Sequence, residues 1–259
     1  MTASLSAMPT DVLGGVGLTF LKVYEDRPAP DGLHSGCAHV HAITDEAYFV
    51  VAGEGYLELH DLANGFRRAP LSPGAFVQFT PGTIHRVVST DGLEVMVTMG
   101  NAGLPERGDA RIYFGPEVDA DPEEYKRLAA LPKTKGREGA LERRDASVAG
   151  YTKLMDLMAS DEAAYQAEIA RFVEHHFAAM AAIRDDLSAV VEAGPVRWAQ
   201  QARDRIEALP KGPAGPKTLV TEPVSEPVLG MCGILRPVSG LHPLAAEAAS
   251  LLADDAPAR

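Results

Sequence analysis

The stretch that decides the fold is residues 37–55, which read CAHVHAITDEAYFVVAGEG. It contains His39 and His41, which are separated by one residue, and Glu46 soon after them. Residues two apart on a β-strand point to the same face, so both imidazoles can reach one point. Glu46 has the wrong parity for that face on an unbroken strand. We therefore expect a turn at residues 43–45 to bring Glu46 back from the next strand.

A second stretch, residues 74–85, reads GAFVQFTPGTIH and supplies a third imidazole. His85 follows a predicted strand and a turn at Pro81-Gly82, which would direct its ring inward. Three neutral imidazoles and one carboxylate suit a divalent transition metal, with Fe favoured and Mn, Ni, Co or Zn as alternatives. Calcium and magnesium prefer more oxygen ligands. An octahedral ion with four protein ligands would keep two positions open for substrate or dioxygen.

At these residues the sequence resembles the cupin superfamily. Four residues match the first cupin motif in register: His39, His41, Glu46 and Gly53. The leading glycine of that motif falls on Leu33, which departs from the pattern.

The second cupin motif is matched in spacing by Gly74, Gly82 and His85. Its proline is displaced by one residue to Pro81, and its closing asparagine is Ser89 here. Neither departure touches a metal ligand of the family. The resemblance covers under half of the chain, and it implies a barrel fold and a metal site but no particular reaction.

The chain changes character near residue 118. Before it, short segments rich in Val, Phe, Tyr and Thr alternate with turn residues, which is typical of a sandwich or barrel. The predicted strands lie within residues 17–25, 46–52, 55–62, 74–80, 85–89 and 93–100. We predict a mainly β plus α fold: a cupin double-stranded β-helix (jelly-roll barrel) over residues 1–117, then an α-helical extension over residues 118–259 with a Pro-rich segment at 210–243.

The extension contains several predicted helices. One begins at Asp121-Pro122, a long one runs from an N-cap at Ser160 to about Ala193, another covers residues 196–209, and a short one follows Pro243. The long helix carries an apolar stripe at steps of three and four: Tyr165, Ile169, Phe172, His176, Met180, Ile183, Leu187 and Val190. This stripe must pack on the barrel, cover the cavity mouth or pair with a second chain.

Four further residues are candidates for the pocket. Tyr48 shares the parity of Glu46 and could offer its hydroxyl to substrate as a catalytic group. Cys37 lies two residues before His39 and should share its inward face, where its thiol could contact a metal ligand or line the pocket. Gln78 interrupts an apolar strand, and Phe76 should share its face and shape the same wall of the pocket.

Composition narrows the function classes. The 259 residues carry a net charge of −12, which argues against binding to nucleic acid. No apolar run is long enough to span a membrane, and two cysteines are too few for a disulfide framework. We therefore expect a cytoplasmic protein that binds a small-molecule substrate or ligand. The cupin resemblance also implies a homodimer.

The sequence favours a metal-dependent enzyme that acts on a small molecule, with dioxygenase chemistry, an oxidoreductase reaction, as the leading hypothesis. A metal-dependent isomerase or epimerase is the competing enzyme, and it would need a separate acid or base in the cavity. A non-catalytic cupin module that only binds a small ligand is the alternative from another class.

Overall fold

A computed structural model of the chain describes residues 12–131, 134–209, 211, 219–220, 226–238 and 242–243. The predicted short helix after Pro243 lies outside these ranges. The strands are β1 (Gly17–Val23), β2 (His34–Ser35), β3 (His39–His41), β4 (Glu46–Asp61), β5 (Gly65–Leu71), β6 (Phe76–Phe79), β7 (Ile84–Met99), β8 (Ala110–Ile112), β9 (Leu219–Val220), β10 (Val228–Leu229), β11 (Gly233–Pro237) and β12 (His242–Pro243).

Two long antiparallel strands, β4 and β7, form the frame of the barrel. Their pairing runs from Glu46 opposite Met99 to His60 opposite Ile84. On one side β7 also pairs with β1 and β3, and on the other β4 pairs with β5 and β6. The strands enclose a core of aliphatic and aromatic side chains contributed by β1, β4, β5, β6 and β7. This arrangement confirms the predicted jelly-roll barrel followed by helices.

The β4–β7 pair bends at an irregularity between Val50 and Gly55, where the register shifts. Gly53 lies at this bend with a φ of 73°, and a Cβ atom there would lie 2.3 Å from the carbonyl oxygen of Asp91. Only glycine fits such a position without displacing the partner strand. The bend explains why the sequence predicted two strands at residues 46–52 and 55–62 where the structure has one.

The C-terminal part of the chain returns to the barrel, which the sequence did not predict. β11 pairs antiparallel with β1, and β10 pairs with β11. The residues before β11 pack tightly on the barrel, because a Cβ atom on Gly36 would lie 2.5 Å from the Cα atom of Cys232. The division at residue 117 stays a prediction, but this segment adds strands to the sheet rather than helix.

The helices are α1 (Pro116–Asp119), α2 (Pro122–Ala129), α3 (Gly136–Ser160), α4 (Glu162–Ala181), α5 (Arg184–Val191) and α6 (Arg197–Glu207). Asp121 caps α2 as predicted, because its side chain accepts from two backbone N–H groups of the first turn. Within the described ranges, no helix is long and apolar enough to cross a membrane.

The predicted long helix is wrong in two respects. Ser160 is the last residue of α3, a 25-residue helix that the sequence analysis missed, and Asp161 caps α4 instead by accepting from the N–H of Ala164. The helix also stops at Ala181, because the backbone of Ile183 leaves the helical region with φ −118° and ψ 21°.

The apolar stripe of α4 packs on the barrel of its own chain. Tyr165, Ile169 and Phe172 are fully buried, in one cluster with Val40 of β3 and Ile84 of β7. Burying an aromatic side chain of this kind stabilises a fold by roughly 2–3 kcal/mol. The helices and the outer surface of the barrel therefore enclose a second hydrophobic core, and the helices are part of the same packed unit.

His60 joins the barrel to the helices through two hydrogen bonds. Its Nδ1 and Nε2 atoms each lie 2.7 Å from a tyrosine hydroxyl, of Tyr165 on α4 and Tyr151 on α3. A neutral ring satisfies both contacts, since one nitrogen donates and the other accepts. Burial lowers the pKa of His60 to about 4.

We expect this histidine to make stability depend on pH. A folded-state pKa below the unfolded value means that the unfolded chain binds the proton more tightly, so stability is present above pH 6.5 and is lost as pH falls towards 4. The loss from His60 is about 3 kcal/mol over that window. Urea unfolding at pH 7, 6, 5 and 4.5 measures it. The His60→Asn variant should be less stable than the unaltered protein at pH 7, yet it should lose less unfolding free energy between pH 7 and 4.5. A difference in unfolding free energy between the two proteins that does not change with pH would contradict the assignment.

Candidate metal centre

The structure brings together the four residues that the sequence proposed as ligands. One ligand atom from each of His39, His41, Glu46 and His85 lies within 4.8 Å of the others, and all four residues are buried. The Oε2 atom of Glu46 is 3.1 Å from Nε2 of His85 and 3.3 Å from Nε2 of His41. The arrangement is compact enough for one ion to contact all four groups.

Local structure explains this convergence. His39 and His41 occupy the two ends of the three-residue strand β3, so both point inward, and His39 lies opposite His85 of β7. The predicted turn is present: the chain leaves the sheet after His41 and re-enters it at Glu46, the first residue of β4. Gly82, in the turn before β7, donates its N–H to the carbonyl oxygen of His41 and so holds His85 close to β3.

Each imidazole is oriented by an acceptor on its outer nitrogen. The Nδ1–H of His39 donates to the carbonyl oxygen of Cys37 at 3.0 Å, and that of His85 donates to the carbonyl oxygen of Thr83 at 3.1 Å. Carbonyl oxygens only accept, so Nδ1 carries the proton in both rings. The Nε2 atoms are therefore left with free lone pairs that face the centre, as metal ligation requires.

Asp109 orients the third imidazole. Its Oδ2 atom accepts from Nδ1–H of His41 at 3.0 Å, and its Oδ1 atom accepts from the N–H groups of Ala42 and Ile43. One carboxylate thus shapes the turn between β3 and β4 and sets the tautomer of His41. Burial raises the pKa of Asp109, but the hydrogen bond to His41 outweighs it and holds that pKa below its usual range.

The electrostatics of the centre favour a cation. Burial lowers the pKa of His41, but the hydrogen bond to Asp109 and the nearby negative charge of Glu46 prevail and raise it to about 9. Burial also raises the pKa of Glu46, yet the neighbouring His85 and His41 hold it well below its usual range. For His39, burial and the two other histidines lower the pKa. A buried carboxylate thus remains ionised among imidazoles and attracts either a proton or a metal ion.

Two buried atoms without partners also indicate that these residues fit a metal ion. Glu46 Oε2 and His85 Nε2 are buried, and neither has a hydrogen-bond partner among the described residues. Buried polar atoms without partners destabilise a fold unless a ligand or water contacts them. A divalent ion bound by His39, His41, Glu46 and His85 would contact both atoms.

A cavity of about 280 Å³ opens beside the centre. His39, His41 and Glu46 form part of its wall, and most of the remaining wall is apolar, from Leu18, Val97, Met99, Leu229, Met231 and Leu235. Glu106, on the short turn Pro105–Arg107, and Arg143 of α3 add two charged groups. The volume is at the lower end of the ~300–1,000 Å³ range of small-molecule sites.

Tyr48 is buried inside the barrel, as its parity predicted. It belongs to the barrel core and is not among the residues that line the cavity. Burial, followed by the charge of Glu46, raises the pKa of Tyr48 well above its usual value. A catalytic role for this hydroxyl stays a prediction, and its position favours a structural one.

Cys37 is buried, but its thiol does not face the cavity. It packs with Ile112 and Phe114, and burial raises the pKa of its thiol to about 11. The strand begins only at His39, so alternation does not extend back to residue 37. Cys37 acts on the centre through its carbonyl oxygen, and the cavity wall carries Cys232 instead.

The predicted pocket positions of Phe76 and Gln78 are wrong, because both side chains point to solvent. Val77 and Phe79 point inward instead, since they pair across the sheet with the inward-facing Tyr48 and Glu46. Side chains directly opposite on neighbouring strands share a face. A single polar residue in an apolar strand therefore marked the outer face and not the pocket.

Sequence reasoning also missed residues that the tertiary structure brings to the site. Asp109, Glu106 and Arg143 come from a loop and a helix that lie far from both motifs in the chain. Asp109 lies 68 residues after His41, its hydrogen-bond partner, and no motif connects the two positions. His176, which belongs to the predicted apolar stripe, is buried, and its neighbour His175 is exposed.

No protein-family model matches the chain, and no curated protein is significantly similar to it. Among solved structures, the capsular polysaccharide assembling protein CapF from Staphylococcus aureus is 16% identical, with a TM-score of 0.29 over 37% of this chain and 25% of that one. A cupin protein from Bacteroides fragilis is 15% identical, with a TM-score of 0.27 over 34% of this chain and 68% of that one.

A predicted oxalate decarboxylase from Thermotoga maritima is 23% identical, with a TM-score of 0.25 over 32% of this chain and 63% of that one. This chain therefore spans about a quarter of the length of CapF and under two thirds of the predicted decarboxylase. The jelly-roll barrel is defined by the strand order of this chain and not by these matches. At these TM-scores they carry no argument about the reaction.

We expect Asp109→Asn to weaken metal binding by about 10–100-fold, the usual effect of removing a carboxylate behind a histidine ligand. The asparagine oxygen can still accept from the turn N–H groups, but its NH₂ group then faces Nδ1 of His41. The proton moves to Nε2, which can no longer bind the ion. Competition with a fluorescent chelator for Co²⁺ measures the affinity.

Asp45→Asn is the matched control, because it removes the same charge from an exposed residue next to Glu46. It should bind Co²⁺ as tightly as the unaltered protein. Equal affinities for the Asp109 variant and this control would show that Asp109 does not act on the centre.

Proposed function

We propose that this chain is a metal-dependent enzyme that binds one divalent transition ion at His39, His41, Glu46 and His85 and converts a small molecule beside it. Dioxygenase chemistry with iron is the reaction that we favour. The observation that carries the proposal is the orientation of the rings: all three Nδ1 atoms are engaged by outer acceptors, so the three Nε2 atoms face one buried carboxylate oxygen. An ion would displace the proton of His41 and bind all three nitrogens.

Iron in this ligand set would supply Lewis acidity and the redox capacity for a reaction with dioxygen. The chain itself would do three things. The outer acceptors hold the imidazoles in a ligating tautomer, the apolar wall keeps bulk water from the reacting atoms, and the cavity positions substrate beside His39, His41 and Glu46.

Isomerase or epimerase chemistry is the second candidate, and Glu106 is the observation that favours it. Its side chain lines the cavity while staying exposed to solvent, and it is not one of the four proposed ligands. Although the residue as a whole is exposed, its carboxyl is partly desolvated at the cavity wall, which raises the pKa of Glu106. A carboxyl with a raised pKa is suited to proton transfer, which is the central step of an isomerase reaction.

Metal content tests the centre. Plasma mass spectrometry should find about one transition ion per chain in untagged protein, and iron would support the oxygenase reaction. His85→Ala should lose the ion because it removes one of the inward-facing lone pairs. His175→Ala is the matched control, since it removes an exposed histidine from α4 and should keep the ion.

Equal metal content in the His85 variant and the His175 control would contradict the ligand assignment. Absence of any transition ion, even after reconstitution with Fe²⁺, Mn²⁺, Ni²⁺, Co²⁺ and Zn²⁺, would leave a barrel that only binds a ligand.

Glu106→Gln separates the two reactions. If the protein is a dioxygenase, its turnover of vicinal-oxygen compounds such as catechols and 2-hydroxy acids should consume dioxygen. The Glu106→Gln variant should then keep the turnover rate of the unaltered protein within about tenfold, because proton transfer is not the main step. Oxygen uptake and product analysis under air and under nitrogen measure this. Turnover under nitrogen that falls by about 10²–10⁴-fold in the variant would assign the isomerase reaction instead.

The homodimer and the cytoplasmic location stay predictions.

A further inference from the structure

Arg143 differs from three other arginines that are buried or half-buried. Arg86, Arg111 and Arg144 each have a carboxylate oxygen at 2.6–3.0 Å, from Asp31, Asp119 and Asp145. For Arg143 no carboxylate lies within ion-pair distance in the part of the chain that the structure describes, although only 9% of its surface is exposed. A buried charge without a counter-ion is costly, which indicates that a ligand supplies the negative charge.

The existing contacts of Arg143 leave part of its guanidinium free. Nη2 donates to the carbonyl oxygen of Gly230 at 2.9 Å, and Nη1 has a long contact of 3.5 Å with the carbonyl oxygen of Ala129. Its Nε atom is buried and has no partner among the described residues. A guanidinium has five N–H donors, so this one can still bind a planar anion through two of them.

Arg143 lies in the wall of the same cavity as His39, His41 and Glu46. It comes from α3, a 25-residue helix packed on the barrel, so its backbone is held rigidly. The helical part of the chain thus contributes a cation to a cavity whose proposed metal ligands all come from the barrel.

The charges in the cavity indicate the charge of the substrate. Among the side chains that line the cavity, Glu46 and Glu106 would balance the charge of a bound divalent ion, and Arg143 would supply one further positive charge. Asp109 lies behind His41 and is not part of this wall. The remaining wall is mainly apolar. These features together suit a monoanion with an apolar body.

We propose that Arg143 binds the carboxylate of a small organic acid whose other polar end reaches the metal centre. This inference rests on the proposed function, since it assigns the substrate class of the same site. A carboxylate fits because two of its oxygens can pair with two N–H groups of one guanidinium. Arg143 is then a specificity-determining residue supplied by the helical region.

The probes carry a hydroxamate that binds the metal and a second end that is either charged or neutral. They are the monohydroxamates of succinate, glutarate and adipate, each compared with the analogue in which an amide replaces the free carboxylate. Titration of the Co²⁺-loaded protein, followed by its visible absorption, yields the Kd of each probe. The three chain lengths cover different separations between the metal and Arg143.

In the unaltered protein, the best acid should bind at least about tenfold more tightly than its amide, as a bidentate charged pair allows. Arg143→Gln should reduce this ratio to about one while it leaves the Kd of the amide within about threefold. Arg143→Lys should give an intermediate ratio, because lysine keeps the charge but not the two-pronged geometry. Arg137→Gln is the matched control on the same helix, where the side chain is exposed and pairs with Asp26, and it should keep the full ratio.

Two outcomes would overturn the inference while the metal centre stands: equal binding of acid and amide by the unaltered protein, or equal weakening of both by Arg143→Gln. The second would mean that Arg143 only holds the wall at Gly230 in place. Failure of the protein to bind Co²⁺ or any hydroxamate would overturn the proposed function and this inference with it. Thermal unfolding of each variant checks that the chain is folded.

Discussion

The rest of the structure depends on how the β4–β7 pair rolls up. Glu46 and His85 lie near opposite ends of this ladder, since Glu46 pairs with Met99 and His85 pairs with Leu59. A straight 16-residue strand would extend about 50 Å. Yet Glu46 Oε2 is 3.1 Å from His85 Nε2. The irregular register at residues 50–55 lets the strands curl until the two ends meet, so the bend that closes the barrel also assembles the site.

Hydrogen bonds from groups outside the candidate metal centre orient its three imidazoles. Two backbone carbonyl groups and Asp109 fix the three rings, and Asp109 at the same time shapes the turn that returns Glu46 to the sheet. Most of this support is backbone, which side-chain substitutions leave in place. The helices then pack on the outer surface of the barrel, with His60 between two tyrosine hydroxyls at the join. The cavity thus has a wall from the barrel, a wall from the returning segment before β11 and a cation from α3.

Strand periodicity explains which expectations succeeded. His39, His41 and Glu46 could be placed because a period of two, interrupted by one short turn, leaves few ways to direct three polar side chains. The same reasoning failed for Phe76 and Gln78, because the inward face of a short strand depends on its register with β4, and register is a non-local property. It failed for Cys37 because the strand begins two residues later. The helix α3 was missed because its buried residues include Arg143, Arg144 and Ser147, which obscure an apolar stripe in the sequence.

The sequence by itself determined the barrel, the four candidate ligands and the turn between His41 and Glu46, because each is marked by local patterns within short segments of the chain. Only the tertiary structure decided that Asp109 orients His41, that residues 228–237 add strands to the barrel, and that Glu106 and Arg143 reach the cavity. These pairs are separated by tens to more than a hundred residues, and no local periodicity records which distant segments a closed barrel brings together. The candidate metal site could therefore be predicted from the local pattern of the chain, whereas the positions of Glu106 and Arg143 at the cavity were decided by packing between distant segments.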